Sequence, residues 1–247
     1  MIGAVTGGRE HWPTLAELEV LAAEVRSRGV TTMRDGDCPT GVDRIARGYL
    51  HDRGVAEVER WPAAWRELGR RAGMVRNVAM LEGDRERLTG GRSLLDTQRA
   101  DVLFAFRGGA GTAGCVEAAE ARGIDVVRID PVVEPRIWNM HHRWSKDESR
   151  PPGLIYCGRS REHGGPSPLA NPWRVDVQPG ETREGAAARI LGLYRNWLWR
   201  KLRTNDRATL EAIDAITPDS WLGCTCWPRR CHVEVVVRAW RWRRSAI

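Results

Sequence analysis

Four soft or borderline donors crowd into nine positions near the end of the chain: Cys224, Cys226, Cys231 and His232. Thiolate sulfur and imidazole nitrogen are the ligands zinc favours. The spacing is not that of a standard finger. Cys231 and His232 are also neighbours, which strains a single tetrahedral shell, and Cys157 is a remote thiol that could complete a set. A second chemistry fits the same residues. Cys231 at a helix N-terminus beside Arg229, Arg230 and His232 would have a depressed pKa and act as a thiolate nucleophile or anion site. A third reading has these cysteines simply buried in a small, tryptophan-rich domain. The residue types leave all three open.

A different chemistry is carried by Asp101-Val-Leu-Phe-Ala-Phe106 and the run Arg107-Gly-Gly-Ala-Gly-Thr112. The first is a short apolar run of the kind found in buried parallel strands. The run is followed by a helical pattern for which Thr112 is the expected N-cap. A strand feeding a glycine turn and a helix N-terminus aims free N–H groups and the positive end of a helix dipole at one place, which suits phosphate or carboxylate. A tight turn that binds nothing has the same composition. A second turn agrees with the first, however: the strand beginning Met1-Ile-Gly-Ala-Val-Thr6 runs into Gly7, Gly8 and Arg9.

These residues need elements to hold them. Leu15, Leu18, Leu21, Ala22 and Val25 recur at helical spacing and Gly29 follows as a terminator. A strand at 31–34 leads to Asp35-Gly-Asp-Cys-Pro-Thr-Gly-Val-Asp43, where Thr40 and Asp43 have the spacing of a capping arrangement. A helix through Ile45 and Leu50, a strand at 55–59, and a helix bearing Arg70, Arg76, Asn77 and Met80 come next. Residues 83–99 read as a polar, flexible insertion, and 124–129 as the closing strand. Alternation of this kind predicts an α/β fold: a Rossmann-like parallel sheet with helices on both faces. Ligands then sit beyond the carboxyl ends of the strands, where strand order reverses. The candidate ligand residues are Gly7, Gly8, Arg9, Asp43, Arg76, Asn77, Gly108, Gly109, Gly111 and Thr112. Asp43 is a ribose-hydroxyl acceptor or a helix cap, Arg76 a phosphate ligand or one half of an ion pair, and Trp65 core or lid rather than a stacking platform.

Residues 1–132 form this domain in our reading, 133–152 a proline-rich linker with His141, His142, Trp138 and Trp144, and 153–247 a smaller α+β domain. The second domain has a glycine- and proline-rich loop at 164–173, helices at about 183–202 and around Leu210, and a terminal helix through Val235 and Trp240. Arg159, Asn171, Cys231 and His232 are its candidate site.

The chain has 247 residues, a net charge of +7 and 42% hydrophobic residues, enough for a sizeable core. Residues 1–152 are balanced, so the positive excess lies in 153–247. Lys146 and Lys201 are the only lysines. Arginine forks phosphates well, but a GC-rich genome gives the same bias, so composition alone does not establish nucleic-acid binding. That class rests on Arg238, Trp240, Arg241, Trp242, Arg243 and Arg244, where cations could hold phosphates while indoles stack on bases. An amphipathic helix with its tryptophans turned inward is the simpler reading of the run. No apolar run reaches membrane-spanning length and no signal-peptide pattern opens the chain, so we expect a soluble, cytoplasmic protein without a membrane partner. Irregular cysteine spacing suits reduced thiols or a metal better than disulfides.

The first half resembles the YspA-like branch of the SLOG superfamily in Val5-Thr-Gly-Gly-Arg9, Gly36-Asp-Cys-Pro-Thr-Gly-Val-Asp43, Ala64-Trp65, Gly69-Arg-Arg-Ala-Gly73, Arg76-Asn77, Met80-Leu81 and Phe106-Arg-Gly-Gly-Ala-Gly-Thr112. The resemblance implies a site for a nucleotide or nucleotide-derived ligand. Some relatives cleave the N-glycosidic bond of nucleoside monophosphates with a glutamate three residues after the Gly-Thr pair. Cys115 stands there in this chain, and Glu117 is turned about 200° away on a helix, so sensing or binding fits better than hydrolysis. The second half resembles a bacterial and phage family of uncharacterised function. Gly158-Arg159, Pro166-Ser-Pro-Leu-Ala-Asn-Pro-Trp173, Trp197-Leu198 and the closing Leu222-Gly-Cys-Thr-Cys-Trp-Pro-Arg-Arg-Cys-His232 carry that likeness. The glycine and acid usual after the histidine are here Val233 and Glu234.

Overall fold

The computed structural model describes residues 1–89, 98–141 and 150–245. The chain divides into two compact units, Met1–Val132 and Val133–Ile247. Among the described residues no helix is long and apolar enough to cross a membrane.

In the first unit, β1 (Ile2–Thr6), α1 (Leu15–Ser27), β2 (Thr32–Asp35), α2 (Gly41–Asp52), β3 (Glu57–Arg60), α3 (Trp65–Leu68), α4 (Ala72–Glu82), β4 (Val102–Ala105), α5 (Ala110–Glu120) and β5 (Asp125–Arg128) follow in order. All strand pairs are parallel, in the order β3-β2-β1-β4-β5. Chain progress reverses between β1 and β4. Loops leaving those two strands must therefore diverge and leave a crevice. Right-handed crossovers assign α1 and α2 to one face of the sheet and α4 and α5 to the other. On the second face Ala4, Trp61, Met80, Leu81, Leu103, Cys115 and Ile124 close a buried cluster. α1 begins with a capping box: the Thr14 hydroxyl accepts from the Glu17 amide, and the Glu17 carboxylate accepts from the Thr14 amide.

Three local expectations are corrected. Thr112 is not the cap of α5. Gly109 holds the N-cap place and the helix starts at Ala110, so Thr112 sits within its first turn. The predicted Thr40–Asp43 capping arrangement is absent, because the Thr40 side chain makes no capping bond and Asp43 Oδ2 accepts from the Cys38 amide at 3.3 Å. The stretch 83–99 is not wholly irregular or exposed over its described part. A 3-10 turn at Glu86–Thr89 buries Leu88, and Asp84 is fully buried; residues 90–97 lie outside the described residues.

The second unit contains β6 (Arg136–Asn139), β7 (Ile155–Tyr156), α6 (Arg183–Arg203), α7 (Arg207–Asp214), β8 (Trp221–Cys224) and α8 (His232–Ser245). Its sheet runs β6-β8-β7, again parallel. The linker assigned to 133–152 is thereby corrected: four of its residues are a strand paired with β8, and Ile137 and Trp138 are core. His142 and Trp144 fall outside the described residues. The long helix buries Ala186, Ile190, Tyr194, Leu198 and Leu202 on one stripe.

Glu134, only 3% exposed, takes a two-pronged bond from Arg241, with Nε to Oε2 at 2.7 Å and Nη2 to Oε1 at 2.9 Å. Removing the charge should therefore be felt. Glu134→Gln is expected to cost about 1–2 kcal/mol in urea unfolding, the lower part of the range for charged hydrogen bonds because Arg241 is partly solvated.

Candidate functional site

The crevice predicted by strand order is a cavity of about 410 Å³ at the carboxyl rim of the first sheet. Gly7, Gly8 and Arg9 line it from the β1 loop; Gly36, Cys38 and Asp43 from the β2 loop and the start of α2; Gly109, Gly111 and Thr112 from the turn into α5. Trp65, Arg70, Met74, Arg76 and Asn77 form the remaining wall, from α3, α4 and the turn between them. Of the ten candidates read from the sequence, only Gly108 does not face the cavity. It lies at the seam between the two glycine turns: a side chain there would collide with the Thr112 hydroxyl and come within 2.8 Å of Gly8 N. Gly8 N donates to the Arg107 carbonyl at 3.0 Å, joining the two turns directly.

The electrostatics favour an anion. Arg9, Arg70 and Arg76 face one acid, Asp43, among the lining residues. The α5 N-terminus adds its own partial positive charge. Arg76 is buried and fixed, with Nε donating to Asn77 Oδ1 at 2.9 Å and Nη1 lying 3.9 Å from Asp43 Oδ2. Gly36 has no side chain because the Arg76 guanidinium fills that space. Burial raises the Asp43 carboxyl above its ordinary range, opposed by Arg76 and the Cys38 amide. Asn77 differs from expectation. Its oxygen is taken by Arg76 and its Nδ2 donates to the Gly111 carbonyl at 3.1 Å, so it tethers α4 to the turn instead of offering both groups to a ligand.

Beneath the β2 loop, Arg47 Nη1 donates to Asp35 Oδ1 at 2.6 Å and to Asp37 Oδ1 at 3.0 Å, and Arg60 forks onto Asp37. This network holds the loop that carries Cys38. Asp35 is fully buried, and burial lifts its carboxyl to about 7 against the pull of Arg47.

Cys115 is fully buried in the core cluster, and burial pushes its thiol up to about 11. Glu117 is exposed. Trp65 is neither core nor covered: it is 51% exposed at the cavity, with the Arg9 guanidinium 5.7 Å from its ring centroid. The sequence reading missed Gly36, Cys38 and Met74 as wall residues. The turn-rich loop after β2 was the available signal for the first two; Met74, on the solvent side of a helix pattern, had none.

In the second unit β8, the turn after it and the start of α8 bring four donors together. The ligand atoms of Cys224, Cys226, Cys231 and His232 all lie within 4.8 Å of one another, so the cluster could hold a metal ion. Cys224 Sγ is 3.1 Å from Cys226 Sγ and 3.6 Å from His232 Nδ1. Adjacency of Cys231 and His232 is no obstacle, because the chain passes from turn to helix between them. His232 Nε2–H donates to the Cys157 carbonyl at 2.7 Å, which leaves Nδ1 facing the sulfurs. Cys157 thus serves the cluster through its backbone, not through the thiol suggested by its sequence position. Cys231 has no exposed surface, and burial raises its thiol well above the ordinary range, contrary to a reactive nucleophile.

Residues 140–242 match the family described as a domain of unknown function (DUF4326). The DUF4326 match covers all four donors and starts one residue after β6, a strand of the same small sheet. No curated protein and no solved structure matches the chain.

Arg159 Nη1 reaches the Pro172 carbonyl at 3.5 Å, and Asn171 Oδ1 accepts from the Trp173 amide, so both brace the proline-rich loop. The loop is anchored by the Tyr194 hydroxyl, which donates to Leu169 O at 2.6 Å. The basic terminal helix is largely satisfied within the unit. Arg241 binds Glu134, Arg243 forks onto Asp214 at 2.8 Å, Arg244 lies over Trp240, and Trp240 is buried with its Nε1 donating to Ile216 O.

Proposed function

We propose that residues 1–132 are a SLOG-like domain that binds a nucleotide or nucleotide-derived small molecule. The phosphate rests on the turn containing Gly109, Gly111 and Thr112, with Gly7, Gly8 and Arg9 beside it and Arg76 neutralising charge. The observation that carries this reading is the meeting of two glycine turns where strand order reverses, at a cavity with three arginines and one acid. Sensing or carriage is favoured over N-glycosidic hydrolysis because Cys115 is sealed in the core where the relatives' glutamate stands. Thermal shift of the whole chain with a panel of nucleoside mono- and diphosphates tests the binding, and mass spectrometry of a copurifying small molecule identifies the ligand. Release of free base from a nucleoside monophosphate would instead assign hydrolysis.

A second reading has its own observation. Cys224, Cys226, Cys231 and His232 fit a zinc ion: four protein donors of the right softness, the histidine oriented by the Cys157 carbonyl. Four protein ligands leave no open position, so the role is structural. Metal analysis of purified protein should find one zinc per chain. Nucleic-acid binding through the terminal helix has less support, since Arg241 and Arg243 are already paired with acids. A steep salt dependence that weakens in an Arg243→Ala, Arg244→Ala protein would restore it.

A further inference from the structure

The cavity has two unlike walls. One carries the glycine turns and Arg9. The other, from α3, α4 and the turn between them, carries Arg70 and Arg76 and also presents Trp65 and Met74, which are 51% and 66% exposed. Single exposed apolar residues are ordinary on any surface, but here two line the same cavity. Gly73 stands by the indole, and a methyl group there would lie 3.5 Å from the ring's Cη2, so glycine leaves that edge uncrowded. The Arg9 guanidinium carbon lies 5.7 Å from the ring centroid, within cation–π range.

We infer that the exposed Trp65 indole at the cavity mouth is a stacking platform for a nucleobase, flanked by Arg9 and Met74. The inference rests on the phosphate site proposed above and names the other end of the ligand. Trp65 is then a specificity-determining residue that separates nucleotides from sugar phosphates. A ring face offers no hydrogen-bond code, so stacking tolerates every base. The platform therefore selects for the presence of a base and discriminates little among bases.

Calorimetric titration of the full chain with AMP, GMP, CMP, UMP, adenosine, ribose 5-phosphate and inorganic phosphate tests this. The four nucleotides should bind within a few-fold of one another, and ribose 5-phosphate on the order of tenfold more weakly. Trp65→Ala should weaken AMP on the order of tenfold and leave ribose 5-phosphate unchanged; Trp65→Phe should keep most of the AMP affinity. The half-exposed indole can be removed without opening the core, and an unchanged melting temperature checks that. Ribose 5-phosphate binding as tightly as AMP to the wild type overturns the inference. So does Trp65→Ala weakening both ligands equally. Adenosine binding as tightly as AMP would sink the phosphate site while the platform stands, and no binding by any of them would sink both.

Discussion

Gly109→Val is expected to abolish the rise in melting temperature given by a bound nucleotide while leaving the free protein's melting temperature nearly unchanged. A Cβ at Gly109 meets no atom within 4 Å, and the residue lines the cavity at the N-cap of α5, with φ −92° and ψ −157°. That extended backbone accepts a branched side chain, and the added methyl groups then occupy the space assigned to the phosphate. A ligand at a hundredfold excess over its Kd stabilises by about 2.7 kcal/mol, several degrees in a domain of this size, and the whole of that increment should vanish. Gly108→Val is the contrasting variant. Its side chain would strike Thr112 and crowd Gly8 N, so it should lower the melting temperature of the free protein as well. Differential scanning fluorimetry with and without nucleotide separates the two. If Gly109→Val kept a full nucleotide shift, the phosphate would lie elsewhere.

If the cluster holds the zinc proposed above, Cys224→Ala should remove it and with it the ordered packing of the second unit. Apparent binding energies of structural zinc reach on the order of 10 kcal/mol in small domains at neutral pH, comparable with a domain's whole stability. The cluster joins β8, the central strand of its sheet, to the start of α8, so its loss unfastens both. Loss of the near-ultraviolet dichroism contributed by the tryptophans of this unit, with rapid proteolysis, is the expected readout; a chelator should give the same result in the wild type. Cys157→Ser is the control: that residue serves through its carbonyl, so zinc content should be retained. Wild-type protein free of zinc, or a Cys224→Ala protein with wild-type dichroism, would defeat the assignment.

The parallel sheet and its glycine-lined rim were legible because β1 and β4 are short apolar runs that lead into glycines, and α1 repeats its apolar positions at helical spacing. Fine boundaries were less legible. Thr112 looks like a cap, yet the cap is Gly109 and the helix begins three residues earlier, and nothing in composition marks that choice. Arg136-Ile-Trp-Asn139 was hidden between prolines and charges, and only pairing with β8 makes it a strand. The four Cys and His donors were visible by type, but their convergence depends on the turn between β8 and α8. Trp65 could not be told by type from the core tryptophan Trp61 four residues earlier, which is 1% exposed; tertiary placement alone separates them.

The bond from Gly8 N to the Arg107 carbonyl spans the gap between two loops almost a hundred residues apart in the chain. It welds the two lips of the crevice, so they cannot part or close independently. A ligand binding there would find the two glycine turns already joined, with less loop ordering to oppose capture. The Gly8 amide should exchange slowly with solvent deuterium even in the empty protein, and filling the cavity should alter that rate far less than it alters the rates of Gly109 and Gly111.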